Sequence, residues 1–330
     1  VLLLTGDDVR ALLPMTECME LVEDALRTLA RGDGLNPLRS AMWLPDRTGL
    51  LGVMPGWLAS PRGAGIKVIT VMPGNHGTPY DSHQGVVLVF EPEHGRPVAL
   101  IDAGSVTAIR TAAASGVATR ALAREDARSL AIVGTGVEAA THLEAMLAAR
   151  AFEEVRVVGR SADRARTFAE RASSAHGVSV RAAGSVREAV EGADVVCTVT
   201  SSATPVVEGA WLAPGCHVNA VGACTPQARE LDTEAVRRAR FFGDSRESVF
   251  HESGDFLLAR DEGAIGDDHF TAELGEVLLG RDPGRRSPDE ITVFESLGIA
   301  VEDVVVGQRL LAKAHAAGIG VDVDLGGRRT

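Results

Sequence analysis

Apolar residues recur every three or four positions between residues 8 and 31, at Leu12, Met15, Met19, Leu21, Val22, Ala25, Leu26 and Leu29. This spacing predicts a short helix and then a longer one, with Thr16 as its N-cap and Gly32 to Gly34 as its stop. The period then shortens, and residues 41–44, 49–54, 65–72, 85–91 and 98–101 read as strands, the last two joined by a turn at 92–97. Residues 107–122 form a predicted Ala-rich helix. From Leu130 onward strands and helices alternate singly, through LAIVGTGVEAATHLEAMLAAR, EVRVVGRSADRARTFAE, VSVRAA, SVREAVEGA, DVVCTVTSS and HVNAVGA. Strands separated by single helices must be joined by crossovers, so their sheet is parallel and doubly wound. A last helix is expected at 295–317, with an apolar stripe through Leu297, Ala300, Val304, Val305 and Leu311, returning to the first domain. Residues 281–290 read as a polar surface loop.

The expected fold class is therefore α/β: a Rossmann-type doubly wound sheet at 113–294, plus an α+β domain at 1–112 completed by the helix and tail at 295–330. Composition agrees with a soluble globular protein, since 45 % of the 330 residues are hydrophobic and 24 % charged. The net charge of −12 argues against nucleic-acid or anionic-membrane partners, which attract clustered Lys and Arg. No apolar run approaches a membrane span. Cys18, Cys197, Cys216 and Cys224 are scattered, and Cys197 and Cys216 lie in apolar runs, so a reduced, cytoplasmic protein is expected.

Gly134-Thr135-Gly136-Val137-Glu138-Ala139 matches G-x-G-x-x-G/A directly after an apolar strand and at the start of a helix. Such a turn needs glycine for tightness and for close approach of a pyrophosphate, and a small residue where the helix meets the sheet. The second strand ends in Gly159-Arg160-Ser161, where an NAD site would place an acid for the ribose 2′-OH. Arg160 suits a 2′-phosphate instead and Ser161 can add a hydroxyl, so NADP(H) is the expected cofactor, with NAD(H) as the alternative. Thr200, Ser201, Val221 and Gly222, at later strand ends, complete the expected cofactor contacts. No metal is expected, because neither His83 nor His217 shows ligand spacing.

Three cations of the first domain stand in unusual surroundings: Arg39 before a strand, Lys67 inside the apolar run 65–72, and Arg110 in the Ala-rich helix. Interior Lys and Arg need partners, and a small carboxylate-bearing substrate would supply one. Two arginines can clamp the acid group, while Lys67, crowded by cations, would have its pKa lowered and could exchange a proton near neutrality. Met54 and Cys224 are added as substrate-lining positions, with Met42, Trp57 and Phe256 as further pocket candidates. Cys224 has no evident partner His, so a lining role is expected rather than a nucleophilic one.

The segments MPGW (54–57), GIKVIT (65–70), SHQGVVLVFEPEHGRPVALID (82–102), TAIRTAAASGVAT (107–119), IVGTGVEA (132–139), HVNAVGACTPQARELD (217–232), AELGEVLLGR (272–281) and TVFESLGIAVED (292–303) resemble the ornithine cyclodeaminase and mu-crystallin family. The likeness spans nearly the whole chain, with its motifs in order. It implies a homodimer whose first domain supplies the dimer sheet and substrate pocket, NAD(P) in the second, and hydride transfer at an α-amino or α-imino carbon. By motif, Arg39, Lys67 and Arg110 match the family's carboxylate-binding and catalytic positions.

Departures from the family pattern separate its activities. Where ornithine cyclodeaminases carry a GGD-type turn, and related alanine dehydrogenases GAD, this chain has Gly222-Ala223-Cys224, and Gly52 stands where a cyclodeaminase glutamate is expected. Loss of that carboxylate counts against cyclodeamination, which needs extra proton transfers. The pattern is most similar to the mu-crystallin-like ketimine reductases. Expected is NADPH-dependent reduction of a C=N bond in a small, cyclic imino carboxylic acid, with cyclodeaminase or alanine-type dehydrogenase activity as one alternative. A ligand-binding, mu-crystallin-like protein with little turnover is the other.

Overall fold

The computed structural model describes residues 1–75 and 77–327. In chain order the first elements are β1 (Leu2–Leu4), α1 (Gly6–Leu12), α2 (Met15–Ala30), β2 (Gly34–Leu35), β3 (Ser40–Trp43), β4 (Leu50–Ala59), β5 (Arg62–Val71), β6 (His83–Phe90), β7 (Pro97–Asp102) and α3 (Ala103–Leu122). Next come β8 (Ser129–Val133), α4 (Val137–Ala149), β9 (Glu154–Val158), α5 (Ala162–His176), β10 (Val180–Ala182), α6 (Val186–Val190), β11 (Val195–Thr198) and β12 (His217–Ala220). The remainder is α7 (Thr233–Arg238), β13 (Ala239–Gly243), α8 (Arg246–Glu252), α9 (Gly254–Asp261), β14 (Phe270–Glu273), α10 (Leu274–Leu278), β15 (Ile291–Glu295), α11 (Ala300–Ala317) and β16 (Val321–Asp322). Contacts divide the chain into two compact units, Val1–Arg110 with the segment from Ile299 onward, and Thr111–Gly298. Among the described residues no helix is long and apolar enough to cross a membrane.

In the first unit the strands run in the order β16-β1-β7-β6-β5-β4-β2, with β3 paired to β4. The β4–β7 stretch is an antiparallel meander, so side chains alternate between its faces, with one register shift between Val89 and Phe90. One face is buried: Met54, Leu58, Lys67, Val87, Val89, Ala99 and Ile101 lie under α11, which crosses β4, β5 and β6 and also packs on α2. Close approach there is eased by glycine, since a Cβ at Gly56 would stand 3.1 Å from the Ala300 backbone. The opposite face carries Val53, Trp57, Ile66, Val68, Val86, Leu88 and Phe90, all only half-buried.

The second unit is an eight-stranded, wholly parallel sheet in the order β10-β9-β8-β11-β12-β15-β13-β14. The order reverses direction at β8, as in doubly wound folds whose ligands sit at the carboxyl ends of the strands. Buried Val, Ala, Leu and Phe side chains of these strands and their helices form its core.

Two expectations about helix ends are corrected. Thr16 lies inside α2, whose N-cap is Pro14 at φ −63°, a residue already set for helix entry; the side-chain cap belongs to α1, where Thr5 and Asp8 form a capping box. Nor does the last helix begin at Glu295. Residues 291–295 form β15, buried throughout, and α11 begins at Ala300 after the positive φ of Gly298. Leu297 thus precedes the helix: a strand buried on both faces is uniformly apolar, and periodicity alone does not separate it from the helix that follows.

Candidate functional site

Lys67 points from β5 into the covered face of the first sheet, opposite Met54 on β4, and is 1 % exposed. An ammonium there must be paired. The first turn of α11 provides the partners, since Glu302 and Asp303 lie at the helix N-terminus, where the peptide dipoles favour negative charge. The Lys67 Nζ lies 2.9 Å from Asp303 Oδ2 and donates to Oδ1 at 3.2 Å, with Thr107 Oγ1 at 3.5 Å. Arg110 on α3 donates through Nε to Asp303 Oδ1 and through Nη1 to Glu302 Oε2, both at 3.0 Å. Two buried cations thus meet two buried acids.

Burial first, and then the Arg110 charge, lower the Lys67 pKa to about 8 against the opposing effect of Asp303. Arg39, half-buried between β2 and β3, makes the smallest of the named contributions, so crowding by cations is a secondary cause rather than the main one. At the start of β6 the His83 pKa is lowered by desolvation and then by the Lys67 charge. The expectation that a substrate would supply the partner for Lys67 and Arg110 is also corrected, because Glu302 and Asp303 already do so. Their signal was two adjacent acids embedded in the apolar run SLGIAVEDVVVG.

In the second unit, Gly134 turns the chain from β8 toward α4 at φ +136°, and a Cβ there would lie 2.7 Å from Val199 O. Gly136 is the N-cap of α4 with no side-chain cap, and a Cβ on it would meet open space. Ala139 is fully buried against the sheet, while Thr135 and Glu138 are half-buried and Val137 is exposed. A turn with an uncapped helix N-terminus facing open space fits a dinucleotide pyrophosphate. Arg160 is exposed just beyond β9, and Ser161 caps α5 by accepting from Arg164 N at 3.3 Å. Thr200 and Ser201 follow β11; Val221 and Gly222 follow β12.

Those last two loops are tied together by Glu230, which sequence reasoning missed. Its buried carboxylate accepts from Thr200 N and Gly222 N, each at 2.6 Å, and from Val221 N at 3.3 Å. Burial nevertheless raises its pKa. Behind it, Asp255 Oδ1 accepts from Glu230 N and Leu231 N at 2.8 and 3.0 Å, and burial pushes the Asp255 pKa up to about 7. Burial and the Asp255 charge likewise raise Glu295 well above the usual carboxylate range.

Of the remaining candidates, Cys224 is half-buried beside the core of the second unit. Phe256 is a core residue there, its ring 5.3 Å from Phe241 and 5.6 Å from Phe250. Trp57 belongs to the open sheet face, opposite in parity to Lys67, and Met42 is exposed on β3. His217 is buried between Thr292 Oγ1 and Asn219 Oδ1, and burial lowers its pKa to about 3. Glu91, Glu93 and His94 cluster in an exposed turn, where the Glu91 carboxylate accepts the backbone N–H groups of Glu93, His94 and Arg96.

Comparison with known proteins supplies the context. Ketimine reductase mu-crystallin of Mus musculus is 42 % identical over 290 residues, covering 87 % of this chain and 88 % of its own. The structure of Thermococcus litoralis Δ1-pyrroline-2-carboxylate reductase in complex with NADH and L-proline superposes with a TM-score of 0.96 at 37 % identity, covering 98 % of this chain and all of the other. An archaeal alanine dehydrogenase dimer with bound NAD has a TM-score of 0.93 at 32 % identity and 99 % coverage of both chains. Residues 1–317 match the model of the ornithine cyclodeaminase/mu-crystallin family, and the chain belongs to that family.

Proposed function

We propose that the protein is an NADPH-dependent reductase of C=N bonds in small imino carboxylic acids, acting as a homodimer. The observation that carries this reading is the buried Lys67–Asp303–Arg110–Glu302 cluster, with the Arg39 cation beside it, on a chain that also holds the Gly134–Ala139 dinucleotide turn. In this reading Arg39 meets the substrate carboxylate, and the Arg110 guanidinium, fixed by its two acids, adds positive field. The bound nicotinamide supplies the hydride. Lys67, as ammonium, gives the proton that completes addition across C=N, and its pKa of about 8 leaves it charged yet able to donate near neutrality. Met54 borders this group, and in the sequence Cys224 occupies the position where the family's deaminating members carry an acid.

NADPH is preferred over NADH in this reading because β9 ends in Gly159, Arg160 and Ser161, with no carboxylate at the strand end itself. Thr135, Val137, Glu138, Thr200, Ser201, Val221 and Gly222 complete the cofactor contacts. The dimer reading rests on the apolar open face of the first sheet, where Leu35, Pro55, Trp57, Ile66 and Phe90 line a shallow groove. The deciding assay follows NADPH oxidation with a cyclic imino acid such as Δ1-pyrroline-2-carboxylate. Turnover that Lys67→Ala lowers by at least about 100-fold is expected; ammonia release from ornithine without net NADPH consumption would overturn the proposal.

A further inference from the structure

Lys67 is an acid–base group that cannot be understood from its own strand. Asp303, 236 residues later, reaches it through both carboxylate oxygens and uses one of them to hold the Arg110 Nε as well. Glu302, one position earlier on α11, meets Arg110 Nη1. The two acids therefore divide the work: Glu302 balances the guanidinium, and Asp303 is the shared anion between guanidinium and ammonium. Other groups bear on Lys67 from the surrounding elements, namely Thr107 on α3, Arg39 before β3 and His83 on β6. Cys18 on α2 feels Glu302, Arg110 and Asp303. Of the charges that act on Lys67, Asp303 holds its proton, whereas Arg110 and Arg39 favour its loss.

We infer that Asp303 is the positioning residue for the Lys67 ammonium, fixing its direction between β5 and α11 and setting the pH above which the reductase loses its proton donor. It touches neither hydride donor nor substrate in this assignment and acts through Lys67. The inference rests on the proposed role of Lys67. Removing the Asp303 charge leaves the ammonium buried beside Arg110 with its close counter-ion gone, which favours the neutral amine.

The test is the pH profile of kcat for imino acid reduction in the full-length protein. In the wild type the basic limb, where Lys67 loses its proton, is expected near pH 8. Asp303→Asn should move that limb down by at least about one pH unit, so that activity at pH 6 survives better than at pH 8. NADPH affinity, read by its fluorescence on binding, should not change, since the proposed cofactor residues lie in the other unit. Asp303→Glu, which keeps the charge but displaces it, should lower kcat while holding the limb within about half a unit. An unmoved limb in Asp303→Asn, with Lys67→Ala inactive, overturns the inference and leaves the role of Lys67 standing. Full activity in Lys67→Ala removes that role itself, a separable result. Should Asp303→Asn fail to fold, Asp303→Glu decides alone: a limb displaced by a full unit despite retained charge counts against the assignment.

Discussion

At the scale of single residues, the chain places charge where water cannot reach it and settles the cost locally. Arg110 is 3 % exposed and bonded to two acids, so Arg110→Met removes a buried counter-charge from Glu302 and Asp303 and is expected to cost about 3–5 kcal/mol of stability. Denaturant unfolding measures this, and a loss below about 1 kcal/mol would mean the acids find other partners. Asp255 gives a pH signature. Its pKa in the fold, about 7, lies above the unfolded value of 3.8, so the wild type loses stability as pH rises from about 4 through 7. Asp255→Asn cannot ionise and should gain on the wild type by at least about 1 kcal/mol between pH 5 and pH 8; a difference independent of pH would refute the linkage. Lys67 and Arg110 were legible in the sequence because cations in apolar runs are rare. Glu302 and Asp303 were not, because acids near a helix start are also what a solvated first turn shows, and only the fold reveals that this turn is buried.

At the scale of elements, the strand–turn–helix from β8 to α4 was readable to within a residue, since glycine spacing and apolar run fix each other. Gly134→Ala places a side chain at φ +136° and 2.7 Å from Val199 O, and is expected to weaken NADPH binding by more than about tenfold. Calorimetric titration checks it, and wild-type affinity would show that the turn does not hold the pyrophosphate. The proposed preference for NADPH hangs on the next βα turn: Arg160→Ala should lower affinity for NADPH by about tenfold and leave NADH nearly unchanged. An equal loss for both would assign Arg160 to the backbone of the nucleotide rather than its 2′-phosphate. Less legible were β15 and the start of α11, and the Glu230 tie between two loops. Burial on both faces erases period in the one case, and in the other the bonded N–H groups lie up to 30 residues from the acid that receives them.

At the scale of the whole molecule, alternation in β4–β7 leaves one apolar face under α11 and the other half-exposed, the condition under which a second copy of the chain is the natural cover. Leu88→Asp on that face is expected to yield monomers or insoluble protein, and the wild type is expected to sediment as a dimer; a monomeric wild type at micromolar concentration would remove the dimer from the proposal. The sequence showed that these strands were apolar on both sides but not which side met its own helix, because α11 arrives from almost 200 residues away in the chain.

That late arrival has a consequence for synthesis. A ribosome delivers the whole nucleotide-type sheet, from β8 to β15, before α11 emerges, so the piece that neutralises Lys67 and Arg110 is made only after that sheet. Until then the nascent first unit lacks both Glu302 and Asp303, and its maturation waits for α11, however early its own strands were made.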